Sequence, residues 1–409
     1  MNHRYLNAAL MACAATLLSQ ATFAAEPQRA RDLGIPFEGT PGKLNAITDV
    51  AGVEVGQVTL NSGEGKLVPG KGPMHTGVTM VIPRGKASVK AVNGGFFNLN
   101  GNGEMTGQSY LQDFGLVYGP IGLSNTNAIG PVYAGITEWS AKTFGNAIWP
   151  VVAETWDGRL NDIEGLHVKQ EHAIKAIETA KGGAVQEGNV GGGTGMVCFG
   201  FKGGIGTSSR VVEVDGKSYT VGVLVQCNTG QRDVLRVAGA PVGQELAQKW
   251  LGCFQPGVAA TDKTPHCQKS GDGGAPSKDQ GSIIIVVATD APLLATQLNR
   301  IAKRASMGLA RMGSFAGNGS GDIIVSFSTG EAINDVEEEN PVTVTQFPND
   351  KIDPVFNATV QATEEAITNA LVAARDMTGT DGYTSYALPH GELINILKKY
   401  NRLQPAPEL

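Results

Sequence analysis

The run of apolar residues 283–288 constrains most strongly how this chain can fold. It consists of Ile-Ile-Ile-Val-Val-Ala, follows Gly281-Ser282 directly and shows no polar alternation. Such a short, β-branched run is typical of a strand covered on both faces. The ten mostly small or polar residues 271–280 precede it and indicate a loop with little packing. The sequence therefore predicts that Ser282 takes the first position of a buried strand at the end of a loop.

The Gly281-Ser282 peptide bond has residue types that suit backbone self-cleavage. Glycine has no Cβ, so the carbonyl of Gly281 can be approached closely. Attack by the Ser282 hydroxyl would give an ester, and hydrolysis would leave Ser282 as a new chain start. Its free α-amino group, titrating at about 7.7 to 8, would then serve as the base for its own hydroxyl. An ordinary loop junction has the same composition, so the dipeptide alone leaves both interpretations open.

The overall composition is globular and excludes several partner classes. The 409 residues are 41% hydrophobic and 17% charged, enough for one large layered domain or two smaller ones. Glycine occupies 55 positions, well above the usual share of about 7%, which indicates many turns or close backbone approaches. The net charge of −6 includes no long same-sign run apart from residues 337–339. We therefore expect no nucleic-acid partner and no binding to anionic membranes.

Residues 1–24 are typical of an export signal. Arg4 lies near the start, residues 6–18 are apolar, and small residues surround a cleavage position after Ala24. The apolar segment is shorter than a membrane span, and no later stretch supplies one. We therefore expect a periplasmic or secreted protein that begins at residue 25. A lipoprotein signal ending before Cys13 is the weaker alternative, because the apolar region before it would be very short.

Export permits disulfide bonds, and four cysteines follow the signal. Cys253 and Cys267 bracket a polar loop that contains proline and glycine, so we predict that they pair. Cys198 and Cys227 lie in apolar, strand-like runs. They would either pair or remain buried thiols, and buried thiols are favoured.

Hydrophobic periodicity places the main elements. Apolar spacing predicts a helix over residues 165–180. Asp290 as N-cap with Pro292 in the first turn predicts the start of a long helix that ends near Arg311. Two further helices are expected near the end of the chain. The predicted strands include 53–60, 77–83, 89–97, 196–201, 221–228 and 323–327, and the last two helices cover about 362–377 and 391–400.

Several polar residues follow these strands and are candidates for a cleft. The glycine- and asparagine-rich segments 99–107 and 119–127 indicate tight turns that also offer polar groups. Glu154 ends a buried-type strand, where a solvated carboxylate is the common case and a partner for a substrate cation is the alternative. Asn228 follows another apolar run. Its amide could donate to an oxyanion, although a single asparagine is more often a turn residue.

Other catalytic patterns are not supported. The histidines lack the spacing of a metal site, and no Gly-x-Ser-x-Gly elbow indicates a serine activated by histidine. Residues 65–72 follow the phosphate-loop pattern until Gly72 replaces the required Ser or Thr. We therefore expect no metal ion and no cofactor.

Five phrases in one order carry a resemblance to a known family. They are FEGTPG (37–42), LNAITDV (44–50), NGNGEMTG (100–107), PVVAET (150–155) and GSIIIVVATDAPL (281–293). Together they resemble the self-processing serine aminopeptidases, which comprise the L-aminopeptidase/D-amidase/esterase type and the β-peptidyl aminopeptidases. The likeness covers nearly all of the mature chain, and so many long phrases make it specific.

The resemblance implies an α+β fold, a four-layer αββα sandwich, made from one precursor that cuts itself into chains 25–281 and 282–409. Ser282 matches the nucleophile and new N-terminus. Ser320 and Asp322 match the positions that polarise or orient it, although β-peptidyl members carry Glu at the second. Asn228 matches the amide of the oxyanion hole. The likeness also favours a homotetramer.

The resemblance further implies how substrate is held. Glu154 matches the carboxylate that binds the free amino group of the substrate, and a paired ammonium would fix which bond lies over the nucleophile. Trp156 stands where family members usually have a tyrosine hydroxyl. We therefore expect an aminopeptidase that acts on short peptides, amides or esters with a small N-terminal L-, D- or β-amino acid.

Two other functions compete with this one. Acyl transfer of the ornithine acetyltransferase kind also involves self-cleavage on a related fold, but it typically uses threonine and works in the cytoplasm. The second is a non-catalytic exported binding protein on the same fold, which the substitution at Trp156 leaves open.

Overall fold

The computed structural model describes residues 29–255, 266–267, 281–330 and 344–404. The predicted signal at 1–24 and the predicted loop at 271–280 lie outside these residues. In the described part of the chain, the helices are α1 Gln108–Phe114, α2 Ile129–Phe144, α3 Gln170–Glu178, α4 Val242–Glu245, α5 Ala295–Arg311, α6 Asp353–Val372 and α7 His390–Lys399. None of these helices is long and apolar enough to cross a membrane.

The strands of the same residues form two main sheets. They are β1 Glu54–Ser62, β2 Met74–Ile82, β3 Val92–Gly101, β4 Leu116–Val117, β5 Ile121–Asn125, β6 Val151–Thr155, β7 Val197–Cys198, β8 Phe201–Lys202, β9 Gly204–Val214, β10 Lys217–Asn228, β11 Cys253–Phe254, β12 Ser282–Thr289, β13 Gly321–Ser328, β14 Met377–Thr378 and β15 Tyr383–Ser385. One sheet has the order β1-β2-β5-β6, and the other has the order β4-β3-β13-β12-β10-β9. A small sheet, β11-β15-β14, lies beside them.

The elements form four layers, as shown by the apolar cores that they share. Helices α2 and α3 pack on the four-stranded sheet, α5 and α6 pack on the six-stranded sheet, and a third core fills the space between the two sheets. Sheets covered on both faces need apolar residues on both, which explains the non-alternating runs in the sequence. The predicted αββα sandwich is therefore the observed architecture.

Strand β12 is central in the six-stranded sheet. It pairs parallel with β13 and antiparallel with β10. All eight of its residues are buried. Ile283, Ile285 and Val287 face the core beneath the helices, whereas Ile284, Val286 and Ala288 face the core between the sheets. The predicted two-sided burial of residues 283–288 is confirmed.

The predicted helix over residues 165–180 is too long at its start. The structure has a short turn at Ile163–Gly165, then Leu166 with a left-handed backbone, φ 50°, and only then α3. A left-handed residue interrupts a right-handed helix, so the apolar spacing of Leu166 does not place it in α3.

Helix α5 begins five residues after the predicted N-cap. Asp290 instead turns its carboxylate to the Thr220 N–H on β10, at 2.7 Å. Gln297 fills the capping role, since its Oε1 accepts from the Leu294 N–H at 3.1 Å. A contact from a distant strand thus outweighed the local capping signal. Helix α6 likewise starts earlier than predicted, with a proline in its first turn.

Both cysteine pairs form disulfide bonds. Cys253–Cys267 is bonded as predicted. Cys198 and Cys227 also form a disulfide, so the favoured interpretation as buried thiols was wrong. The predicted strand at 196–201 is in fact a tight hairpin of β7 and β8, and this hairpin brings Cys198 to the side of β10.

Candidate active site

A cavity of about 540 Å³ opens where β12 begins. It is bordered by Glu154, Trp156, Asn228, Gly281 and Ser282, among other residues. Its size suits a small ligand rather than a folded partner. Five of the seven residues that the sequence singled out as site residues therefore come together in one cavity, although they come from three separate parts of the chain.

Ser282 is the first residue of β12 and is almost fully buried. Its partners in the sheet are Asn228 on β10 and Gly321 on β13. The Gly321 N–H donates to the carbonyl oxygen of Gly281 at 3.1 Å and lies 3.2 Å from Ser282 Oγ. The carbonyl of the Gly281-Ser282 bond is thus polarised by a backbone donor next to the hydroxyl.

Gly281 is required by the close approach of β10. A Cβ at this position would lie 1.7 Å from the carbonyl oxygen of Asn228, closer than any side chain tolerates. Its carbonyl therefore lies where only a glycine allows, beside both the Ser282 hydroxyl and the Gly321 N–H.

Ser320 and Asp322 lie behind the cavity rather than in it. Both are completely buried, on either side of Gly321. Ser320 Oγ donates to Asp322 Oδ1 at 2.8 Å, and Thr229 joins them, 3.1 Å from Ser320 Oγ and 3.4 Å from Asp322 Oδ1. Within the described residues no hydrogen bond joins Ser282 Oγ to Ser320 or Asp322. The cluster can place a negative charge and hydroxyl groups near the start of β12.

The Asn228 carboxamide is held at both ends. Its Oδ1 accepts from the Val197 N–H at 2.7 Å, and its Nδ2 donates to the Trp156 carbonyl at 2.9 Å. An amide nitrogen carries two hydrogens, so the second remains for a group in the cavity. The two fixed contacts give that hydrogen a defined direction.

Glu154 is the last residue but one of β6, and its side chain is buried, only 4% exposed. Its Oε1 accepts from the Glu104 N–H at 2.9 Å, and its Oε2 accepts from the Thr126 hydroxyl. Burial raises the pKa of this carboxyl, and the Thr126 and Glu104 hydrogen bonds oppose that rise. Among the described residues no lysine, arginine or histidine forms an ion pair with it. A buried carboxylate without a cation favours a positively charged ligand.

The Glu154 carboxylate and the start of β13 are close neighbours. A Cβ at Gly103, between them, would lie 3.2 Å from Glu154 Oε1 and 3.3 Å from the Cα of Gly321. Gly321 in turn pairs with Ser282. The anionic end of the cavity is therefore within a small ligand's length of the serine.

Sequence comparison places these residues in a family. The model of Peptidase family S58 matches residues 45–385. This chain belongs to peptidase family S58. It is 57% identical to the β-peptidyl aminopeptidase BapA of Sphingosinicella microcystinivorans over 394 residues, which cover 96% of this chain and 97% of that protein.

Solved structures agree with the S58 assignment. The L-aminopeptidase D-Ala-esterase/amidase of Ochrobactrum anthropi, described as a prototype of the serine aminopeptidases and a variant of the Ntn hydrolase fold, matches with a TM-score of 0.81 and 42% identity, covering 92% of this chain and 99% of its own. A Burkholderia sp. β-aminopeptidase matches with a TM-score of 0.77 and 42% identity, over 91% of this chain and 99% of its own. The predicted fold and enzyme class, a serine aminopeptidase, are confirmed.

Trp156 covers a glycine at the rim of the peptidase cavity. Its side chain is 44% exposed. A Cβ at Gly158 would lie 2.6 Å from the indole Cζ2, so the ring lies directly over Gly158. The backbone of Trp156 has a separate task, because its carbonyl holds the Asn228 amide. The indole shapes the mouth of the cavity and the backbone orients the amide.

Two buried titratable side chains, Lys202 and Asp157, lie next to the segments that hold Asn228. Lys202 Nζ donates to the carbonyls of Met196 and Gly203 at 2.7 and 2.9 Å, which fixes the hairpin that contains Val197. Asp157 follows Trp156 and is likewise fully buried. Burial lowers the pKa of Lys202 to about 7 and raises the pKa of Asp157 to about 6. Their mutual attraction opposes the shift of Lys202.

Three residues of this site were not predicted from the sequence. Thr229 directly follows Asn228, so its position after a buried strand was the available signal. Thr126 lies in one of the predicted polar turns. Arg159 also borders the cavity, and nothing in its local sequence pointed to it, because the turn that brings it there depends on contacts with distant strands.

Proposed function

We propose that this S58 peptidase cuts itself between Gly281 and Ser282 and then removes small N-terminal residues, β-amino acids among them, from short peptides and amides. The observation that carries the proposal is the buried Glu154 carboxylate, which borders the same cavity as Ser282 and forms no ion pair with any residue that the structure describes. A free amino group is the cation that such a substrate offers.

Self-cleavage begins with attack of Ser282 Oγ on the carbonyl carbon of Gly281. The Gly321 N–H supports this step, because it already donates to the oxygen on which negative charge develops. The C–N bond then breaks, the nitrogen takes up the hydroxyl proton, and an ester joins the two chains. Water hydrolyses this ester, which leaves a carboxylate on Gly281 and a free amine on Ser282.

Turnover repeats this chemistry on a substrate. The substrate ammonium pairs with Glu154, which places the adjacent amide over Ser282. The Ser282 amine accepts the proton of its own hydroxyl as Oγ attacks, and the free Asn228 N–H stabilises the oxyanion. The proton passes to the leaving amine, an acyl-enzyme forms, and water releases the amino acid. The cluster of Ser320, Asp322 and Thr229 would stabilise the protonated amine between these steps.

Family likeness supports β-amino acids as one substrate class. The β-peptidyl aminopeptidase BapA of Sphingosinicella microcystinivorans is 57% identical to this chain. A side-by-side rate comparison of L-Ala, D-Ala and β-homo-amino acid amides tests this part of the proposal. Turnover of the α-amino acid amides alone would refute it.

Export and assembly complete the proposal. The pattern of residues 1–24 supports export through a cleaved signal, with the mature enzyme in the periplasm or outside the cell. We also propose an assembly of four cleaved α/β units. Cell fractionation and light scattering of the purified enzyme test the two statements separately.

Mass analysis under denaturing conditions tests the mechanism. The active enzyme should give two chains that separate between residues 281 and 282. Ser282→Ala should remain one chain and inactive, whereas Ser218→Ala, an exposed serine on β10, should be cut and active as the wild type is. Full activity in a single intact chain would refute the mechanism, and correct cleavage without any turnover would favour the non-catalytic binding protein.

A further inference from the structure

Arg159 is the one arginine that borders the cavity within the described residues. Its Nη1 lies 3.4 Å from the hydroxyl of Tyr383, and its guanidinium lies 5.5 Å from the centre of that ring. No carboxylate of the described chain forms an ion pair with it. The cavity is therefore bordered by a cation and a carboxylate, Arg159 and Glu154, that form no ion pair within the described part of the chain.

The two unpaired charges lie on different walls. Glu154 lies near the end of β6 and is held by Thr126 and the Glu104 backbone. Arg159 instead contacts Tyr383 on β15 in the small sheet. Arg159 is also not among the described groups that shift the pKa of Glu154. The two groups do not form an ion pair with each other, and Ser282 borders the same cavity as both.

The backbone of Arg159 is tied to a neighbouring loop. The carbonyl of Arg159 accepts a hydrogen bond from the Thr380 hydroxyl at 2.8 Å, and Thr380 also donates its N–H to the Leu160 carbonyl at 3.2 Å. These contacts tie the turn to the loop that precedes β15. The guanidinium at the end of this side chain presents a planar fork of N–H donors that matches a carboxylate.

We propose that Arg159 binds the C-terminal carboxylate of the substrate, so that the preferred substrates are dipeptides with a free carboxyl group. The inference rests on the proposed function, because Glu154 must hold the amine at the other end. A two-residue chain spans at most about 7 Å, so a dipeptide can present its amino group and its carboxylate within one cavity of about 540 Å³. Longer peptides would carry their carboxylate past the guanidinium.

The test compares two substrates that share a scissile bond. They are β-alanyl-alanine and its C-terminal amide, which differ only in the charge that Arg159 would bind. The measured quantity is the ratio of kcat/KM for the acid to kcat/KM for the amide. Arg159→Gln should lower this ratio about 10- to 100-fold, mainly through KM of the acid, since a hydrogen-bonded charge is lost. Arg159→Lys keeps the charge and should retain part of the ratio.

Controls separate this inference from the proposed function. Arg375→Gln, an exposed arginine outside the cavity lining, should leave the ratio unchanged. Each variant is first shown by mass analysis to be cut like the wild type. A wild-type enzyme that hydrolyses neither substrate refutes the proposed function. An unchanged ratio in Arg159→Gln overturns the inference alone, and so does an equal loss on both substrates, which would mean that Arg159 holds another carboxylate, such as that of Gly281 after cleavage.

Discussion

Replacing Glu154 by glutamine separates substrate binding from self-cleavage. Glutamine has almost the same shape as glutamate, and its oxygen can still accept from the Glu104 N–H. Its amide nitrogen can donate to Thr126, whose hydroxyl rotates to accept. The variant should therefore fold and retain the cavity, but the negative charge that would meet the substrate ammonium is gone.

The size of the effect follows from the burial of Glu154, which is 4% exposed. A hydrogen bond to a charged group in such a place contributes about 1.5–3 kcal/mol. At about 1.4 kcal/mol per factor of ten, kcat/KM should fall about 10- to 150-fold. Self-cleavage should proceed at the wild-type rate, because the Gly281-Ser282 bond of the precursor presents no ammonium to Glu154.

The assay measures both quantities in one preparation. Mass analysis over time gives the cleavage rate, and release of p-nitroaniline from an alanine or β-alanine anilide gives kcat/KM. The matched control is Glu213→Gln, an exposed carboxylate on β9. Unchanged kcat/KM in Glu154→Gln would refute the role of this carboxylate. Loss of cleavage together with turnover would mean that Glu154 supports the structure instead.

The pH dependence of the wild type provides a second measure of Glu154. Burial raises its pKa, so the carboxylate becomes protonated at a higher pH than an exposed glutamate as the solution is acidified. Since kcat/KM reports the free enzyme, its acid limb should lie above the ordinary range of glutamate and should disappear in Glu154→Gln. Because folding raises this pKa, ionisation of Glu154 lowers the free energy of unfolding as pH rises from the ordinary pKa of glutamate to the raised one. At neutral pH, Glu154→Gln should therefore melt at a higher temperature than the wild type.

Three further predictions concern the surroundings of the serine. Gly281→Ala should remain largely uncut, because its Cβ would lie 1.7 Å from the Asn228 carbonyl oxygen; mass analysis of the purified variant checks this, and normal cleavage would contradict it. Replacing both Cys198 and Cys227 by alanine opens a loop of 29 residues and should lower the free energy of unfolding by about 3–4 kcal/mol. Chemical denaturation measures this change, and an unchanged midpoint would contradict a stabilising role of the disulfide. Burial raises the pKa of Asp157 from 3.8 to about 6, so its ionisation lowers the free energy of unfolding as pH rises through that window. Asp157→Asn should therefore stabilise the fold by at most about 3 kcal/mol at pH 7.5 and not at pH 3.5. Thermal melts at the two pH values measure this difference, and equal effects at both would contradict it.

The sequence patterns that predicted the structure correctly were those whose physical cause lies in the consecutive residues themselves. The apolar run 283–288 could only be a strand covered on both faces, and the structure covers it on both. The polar residues that end strands, Glu154 and Asn228, reached one cavity because β6 and β10 both end there. Their predicted roles remain predictions, which the experiments above test.

The predictions that failed depended on contacts between distant segments. Asp290 has a good capping side chain, yet the N–H of Thr220 on β10 binds it instead. Cys198 was favoured as a thiol because its run resembled one continuous strand, whereas a hairpin turns it toward Cys227. No pattern within the run distinguishes these outcomes, since each is decided by a partner that lies elsewhere in the chain.

The sequence by itself determined the buried strand that begins at Ser282, and its long matching phrases implied the family and, through it, the layered fold. Apolar runs and matching phrases are properties of consecutive residues. Only the tertiary structure decided which charges would be left without partners. Glu154 and Arg159 lie five positions apart, but they are held on different walls by Thr126 and Tyr383. Whether a charge is paired depends on distance in space and on the solvent that the surrounding chain excludes, and neither quantity can be obtained from the order of residues alone.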